Sequence, residues 1–184
     1  MPTRLSAKRI LRPVPLAAAL SLLLAPAGAH GQPTTGSFGV IAGATFPSGD
    51  LDDELETGFN LGVTLGFTSP VLPVAMRIDA TWHQLSLAPH PGHGSERLRI
   101  VSGNANLLYT FALPFAPYAI GGVGAYNVRH PHLDGDENEF GWNLGAGMRV
   151  PVLPVETFVE LRFHRISAEA GDMTLVPITV GIMF

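Results

Sequence analysis

The sequence predicts an all-β fold, an eight-stranded antiparallel up-and-down barrel that crosses a membrane, preceded by a cleavable signal peptide. Three observations carry this. A short apolar run sits behind a basic N-terminus, hydrophobicity beyond it recurs at period two in eight segments, and large apolar residues oppose a face of Gly, Asn and Thr.

The N-terminal segment comes first. Arg4, Lys8, Arg9 and Arg12 precede an apolar run from Leu16 to Leu24, and Ala27-Gly28-Ala29 fits an A-x-A cleavage site. The run is about half the roughly 20 residues a helix needs to cross a bilayer. Cleavage near His30 to Gln32 is expected, which divides the chain into a signal peptide over 1–31 and a barrel domain over 32–184.

Cleavage changes the charge balance. Four of 11 basic residues leave with the signal peptide, so 7 basic face 15 acidic residues, a net charge of −8, and no lysine remains. Phosphate backbones would repel such a chain, so nucleic acid is excluded as a partner. The absence of cysteine removes disulfides, thiolate chemistry and a lipoprotein anchor.

The eight segments run roughly over 37–46, 57–68, 74–84, 98–111, 117–128, 139–150, 155–166 and 174–184. Each reaches the length of about 9 to 11 residues that a tilted membrane strand needs. Three connectors are short and proline-rich, 69–73, 113–117 and 151–154. The other four are longer and polar: Pro47 to Glu56, Leu85 to Arg97, Arg129 to Asn138, and Ser167 to Met173. Alternating short turns and long loops suit a barrel with two unlike ends. An even strand count puts both termini on the proline-turn side, which is expected to be periplasmic, with the acidic loops outside.

The two faces separate a membrane barrel from a soluble sandwich. In the second segment Phe59, Leu61, Val63, Leu65 and Phe67 oppose Gly58, Asn60, Gly62, Thr64 and Gly66. In the sixth, Phe140, Trp142, Leu144, Ala146 and Met148 oppose Gly141, Asn143, Gly145, Gly147 and Arg149. In the first, Phe38, Val40, Ala42, Ala44 and Phe46 share one side. A soluble sheet would carry Lys and Glu on its second face, whereas small polar residues suit a narrow lumen and large apolar ones suit lipid. Aromatic spacing agrees. Phe38 and Phe46, Phe59 and Phe67, and Tyr118 and Tyr126 are eight positions apart, about 26 Å along a strand and roughly 20 Å in height at a tilt near 40°. All three pairs are expected in two lipid-facing girdles, with Trp82, Trp142 and Phe163 at the outer level and Tyr109, Phe111 and Phe184 at the inner.

These residues resemble the small eight-stranded outer-membrane barrels of the OmpA/OmpX type, in the family of outer membrane protein β-barrel domains. The resemblance covers essentially all of the mature chain. It rests on the architecture, on the Tyr118-Ala-Ile-Gly-Gly-Val-Gly-Ala-Tyr126 strand and on the ending Pro177-Ile-Thr-Val-Gly-Ile-Met-Phe184. It implies residence in the bacterial outer membrane after export to the periplasm, contact with its lipids including lipopolysaccharide, and a monomeric state. A C-terminal aromatic residue is part of the signal that the barrel-assembly machinery reads in that family, and Phe184 matches it. The family's usual glycine five positions before the end is Thr179 here.

Parity sets Arg77, Asp79 and His83 inward on the third strand and Glu160, Arg162 and His164 inward on the seventh. In a ring of eight these strands are opposed, so Arg77 and Arg162 are expected to pair with Asp79 and Glu160 across the lumen, because sealed charges must be compensated. The readings for this cluster are a polar plug, a gated path for small ions, or a proton-transfer site. His83, His90, His93, His130 and His132 gather toward the outer end near Asp134 and Asp136. Mobile loops preorganise zinc poorly, so no metal site is expected. The acidic segment Asp50 to Glu56 lacks the spacing of a calcium loop and reads as solvated surface. The resemblance also brings lipid A deacylases into view, whose His-x-Ser pair is missing here; His164 and Ser167 are three apart and fall on opposite faces.

No catalytic residue and no cofactor are expected. The functional reading is a non-catalytic outer-membrane barrel with a structural or adhesive role, its specificity residing in the outer loops. A narrow channel for small solutes and a lipid-modifying enzyme are the competing readings.

Overall fold

A computed structural model describes residues 35–49, 55–69, 73–87, 97–129, 136–152, 155–168 and 171–184. The expected signal peptide and most of the loop residues lie outside these. Eight antiparallel strands, β1 (Thr35–Ser48), β2 (Leu55–Thr68), β3 (Val74–Leu87), β4 (Arg97–Thr110), β5 (Tyr118–Arg129), β6 (Asp136–Val152), β7 (Val155–Ala168) and β8 (Gly171–Met183), pair in sequence order. Pairing of β1 with β8 closes the barrel. Closure satisfies every edge strand's backbone groups, as a sheet in hydrocarbon requires. Phe184 extends the seam by exchanging backbone hydrogen bonds with Phe38 at 2.7 and 3.1 Å.

The strands are 12 to 17 residues long, and all but β4 and β5 are longer than the segments the hydrophobic pattern marks. The excess lies mainly at the loop end. Pairing runs into the connector expected from Ser167 to Met173, where Ser167 pairs with Asp172 and Ala168 with Gly171. Likewise β3 continues to Leu87 and β6 begins at Asp136. A strand of 14 residues tilted by about 40° rises roughly 35 Å, about 10 Å more than an apolar band needs. Continued pairing satisfies backbone N–H and C=O groups beyond the band, where side-chain patterning gives no signal for it.

Two irregularities interrupt the ladders. Register shifts on β2 between Glu56 and Phe59. Between β7 and β8 the pairs stop at Leu161↔Ile178 and resume at His164↔Leu175, spanning Pro177, whose ring nitrogen has no hydrogen to donate.

The wall is inside-out. Phe38, Phe59, Leu61, Val63, Leu65, Leu107, Trp142, Leu144, Leu161 and Val180 are exposed, while Asn60, Thr64, Asn104, Asn106 and Asn143 are buried in the lumen. The outward aromatics cluster at two levels. Phe38 stacks on Phe184 and Tyr109 meets Phe111 edge-on at the terminal end, and Phe59 meets Trp82 and Trp142 meets Phe163 at the loop end.

One expected girdle pair is overturned. Tyr118 and Tyr126 are 2% and 1% exposed and point into the lumen. Their spacing puts them on one face without saying which, and glycine decides. A Cβ on Gly147 would lie 2.4 Å from the Tyr118 ring, and one on Gly141 would lie 2.9 Å from that of Tyr126. Phe158 follows the same rule over Gly181, where a Cβ would approach its ring to 2.2 Å. Three inward rings thus fill space that β6 and β8 leave open.

The lumen also departs from a uniformly small and polar filling. Leu55, Leu85, Leu98, Ile100, Tyr126, Val128, Ile166, Met173 and Leu175 form a buried apolar cluster near the loop end. A smaller one, Leu108, Tyr118 and Ile120, lies toward the terminal end. The larger cluster has a physical reason. On β4 the inward residues change from Asn106, Asn104 and Ser102 to Ile100 and Leu98, while the outward ones change from Leu107 and Val101 to Arg99 and Arg97. Beyond the hydrocarbon the outer side of the wall meets water while the inner side is shut off from it, and ordinary apolar-in, polar-out patterning returns.

Candidate functional site

The middle of the lumen holds the charged residues. β3 supplies Arg77 and Asp79 and β7, four strands away around the ring, supplies Glu160 and Arg162. Alternation on each strand turns both members inward, and all four are buried.

The structure brings the four side chains together. Arg77 Nη2 donates to both Glu160 oxygens at 2.8 Å, and its Nε lies 3.1 Å from Asp79 Oδ1. That last approach is an ion-pair contact without hydrogen-bond geometry, so Oδ1 has no hydrogen-bond partner. Arg162 Nη2 donates to Asp79 Oδ2 at 2.6 Å, and Arg162 Nε donates to Glu160 Oε1. Each carboxylate therefore touches both guanidiniums, and the ring is electrically neutral. Neutral donors complete it. Tyr118 OH donates to Glu160 Oε2 at 2.8 Å, Asn106 Nδ2 to Asp79 Oδ2 at 2.9 Å, and Asn143 Nδ2 to Asn106 Oδ1 at 2.9 Å. The Arg77 guanidinium also lies 5.1 Å from the Phe158 ring centre.

Nearer the loop end the polar chain continues without charge pairs. His83 Nδ1 is 2.9 Å from Thr45 Oγ1, which accepts from Asn60 Nδ2 at 3.0 Å. Tyr126 OH donates to Asn104 Oδ1 at 2.8 Å and lies 2.8 Å from His164 Nδ1. The two imidazoles meet at 6.3 Å between centres. His83 is thus sealed inside, on the inward face that parity assigns it. His90, His93, His130, His132 and Asp134 lie outside the described residues. Among the described residues no group of three or more His, Asp or Glu converges as a metal site. His164 is buried and Ser167 exposed, so they form no nucleophile–base pair.

At the terminal end the lumen widens into a cavity of about 340 Å³ whose lining includes Arg77, Tyr118, Arg149, Glu156, Phe158 and Phe184. Arg149 pairs with Glu156 at 3.2 Å. The cavity stops at the charged ring, and beyond the ring stands the apolar cluster. Tyr118, Tyr126 and Phe158 complete this filling, and the glycine-facing positions described above are the signal in the sequence that marks them.

The described wall matches known proteins in fold and family. Neisserial surface protein A superposes with a TM-score of 0.63 at 14% identity, over 83% of this chain and 98% of that one. The outer membrane protein Ail of Yersinia pestis gives 0.49 at 12% identity over 82% and 100%. The N-terminal barrel domain of Pseudomonas aeruginosa OprF gives 0.46 at 15% identity over 82% and 100%. No curated protein sequence matches this one. The model of the outer membrane protein beta-barrel domain matches residues 16–184. With most of its length matched and its strands closed inside-out into a ring of eight, the chain belongs to the outer membrane protein beta-barrel domain family, whose members reside in the bacterial outer membrane.

Proposed function

We propose that the protein is a non-conducting, non-catalytic outer-membrane barrel that acts structurally or by surface interaction through its acidic loops. The observation that carries this is the filled lumen. A neutral ring of four charges blocks its centre, and an apolar cluster in which Leu85, Ile100 and Ile166 are fully buried closes the section beyond it. An ion entering from the terminal end would have to break the ring and then shed its water among leucines and isoleucines, a desolvation of several kcal/mol or more.

Planar-bilayer recording tests the reading. The purified protein is expected to give no resolvable steps, and Arg77→Ala none either, because the apolar cluster remains in place. Conductance steps in the unaltered protein would favour the channel instead. The enzymatic alternative is tested by the mass of lipid A extracted from overexpressing cells, which is expected to be unchanged.

Export and orientation belong to the same proposal. The proline-turn end faces the periplasm, the loops face outside, and Phe184 is the residue the assembly machinery reads in a barrel that works as a monomer. Intact mass of the protein from outer-membrane fractions is expected to correspond to a chain beginning between His30 and Gln32. A mass that includes Met1 would reject the signal peptide.

A further inference from the structure

Seven arginines supply every positive side chain after the expected cleavage point. Arg77 and Arg162 lie in the buried ring, and Arg149 pairs with Glu156. Arg165 binds Asp172 through Nε and Nη2 at 2.9 and 2.6 Å. Arg129 on β5 is exposed and engaged in a contact of its own, and Arg97 and Arg99 are exposed on the adjacent strand β4. Arg99 is the register partner of Arg129 on one side and of Gln84 on the other, and Arg97 is the partner of Ser86. Among the described residues neither Arg97 nor Arg99 has a carboxylate partner.

We propose that Arg97 and Arg99 form a docking site for the phosphate groups of lipopolysaccharide packed against the β4 wall. The inference rests on the outer-membrane reading with the loop end outward.

Position is the first argument. Arg99 stands ten residues along β4 from Tyr109, an exposed aromatic of the terminal-end girdle. Ten steps at about 3.3 Å, tilted by about 40°, rise roughly 25 Å, the height of the apolar band. Arg99 thus reaches the headgroup level, and Arg97 lies one outward position beyond. Direction is the second argument. Both side chains share the face of Val101, Leu107 and Tyr109, so they leave the wall sideways, toward a neighbour lying along it in the leaflet. A soluble polyanion approaching from the loop end would meet the exposed carboxylates of Glu56 and Glu137 there. Chemistry is the third. A guanidinium presents a planar fork that binds phosphate through two hydrogen bonds, and Gln84 and Ser86 add neutral donors on the neighbouring strand.

Lipid binding tests the site. The unaltered protein and an Arg97→Ala/Arg99→Ala variant are extracted from outer-membrane fractions in detergent and titrated with lipid A, or with lipid A stripped of its phosphates, by native mass spectrometry. The unaltered protein is expected to bind phosphorylated lipid A roughly 10- to 30-fold more tightly than the variant. The difference should shrink as salt is raised and vanish with the stripped lipid. Equal affinities, or a preference that survives removal of the phosphates, would overturn the proposal, as would a variant that loses only binding to a soluble polysulfated saccharide. Heat-modifiable gel mobility checks folding, and Arg97→Gln/Arg99→Gln is read by the same criteria if the alanine variant fails to fold. Absence of the unaltered protein from outer-membrane fractions would reject the underlying reading, whereas correct fractionation with equal affinities would reject the site alone.

Discussion

Glu160→Ala is expected to destabilise the barrel by about 3 to 5 kcal/mol, the cost of removing one partner from a buried ion pair. Glu160 accepts from Arg77, Arg162 and Tyr118, so its loss leaves two guanidiniums sharing the single carboxylate of Asp79 in a dry lumen. The measurement is the urea midpoint of unfolding in detergent or lipid, read by the gel shift of the folded form. A loss below about 1 kcal/mol would mean that water reaches the ring and solvates the exposed cations. Replacing Arg77, Asp79, Glu160 and Arg162 together by apolar residues of similar volume is expected to cost little or to stabilise, because the desolvation penalty of four charges disappears with their attraction. A large loss in both variants would show that shape, not charge compensation, is what the ring contributes.

The sequence reveals the wall more fully than its contents. Large apolar residues at every second position are legible because lipid faces one side of each strand for its whole membrane-spanning length. Parity alone sets Arg77 and Asp79 on one side of β3 and Glu160 and Arg162 on one side of β7; that they meet depends on closure of the ring, which no local pattern encodes. Tyr118 and Tyr126 show the limit. An even spacing says that they share a face, but the choice of face is made across the sheet, by Gly147 and Gly141 of β6. The apolar cluster was hidden for a related reason. Leu85 and Leu98 flank a polar connector and read as its edges, whereas pairing continues past the membrane boundary and turns them inward. His83 is legible, since parity on β3 already sets it inward, whereas its partners Thr45 and His164 are brought to it only by the closed ring.

Val63→Arg sets the inside-out assignment against its alternative with opposite expected outcomes. Val63 is 55% exposed at the middle of the outward face of β2, with Val40 of β1 and Ala80 of β3 as register partners. On a water-soluble protein, placing arginine at so open a position changes stability by no more than about 0.5 kcal/mol. At the midplane of a bilayer it costs about 2 to 4 kcal/mol, falling to about 1 kcal/mol or less near the interfaces. Thr57→Arg supplies the depth control, because Thr57 is exposed on the loop-end side of Phe59. In phospholipid vesicles the first substitution is therefore expected to lower the unfolding free energy by about 2 to 4 kcal/mol and the second by about 1 kcal/mol or less. A vesicle bilayer keeps the arginine in hydrocarbon, where lengthening the side chain toward an interface offsets only part of the penalty. Equal small effects at both depths would place water, not lipid, against Leu61, Val63 and Leu65, and with it would go the reason these side chains point outward at all.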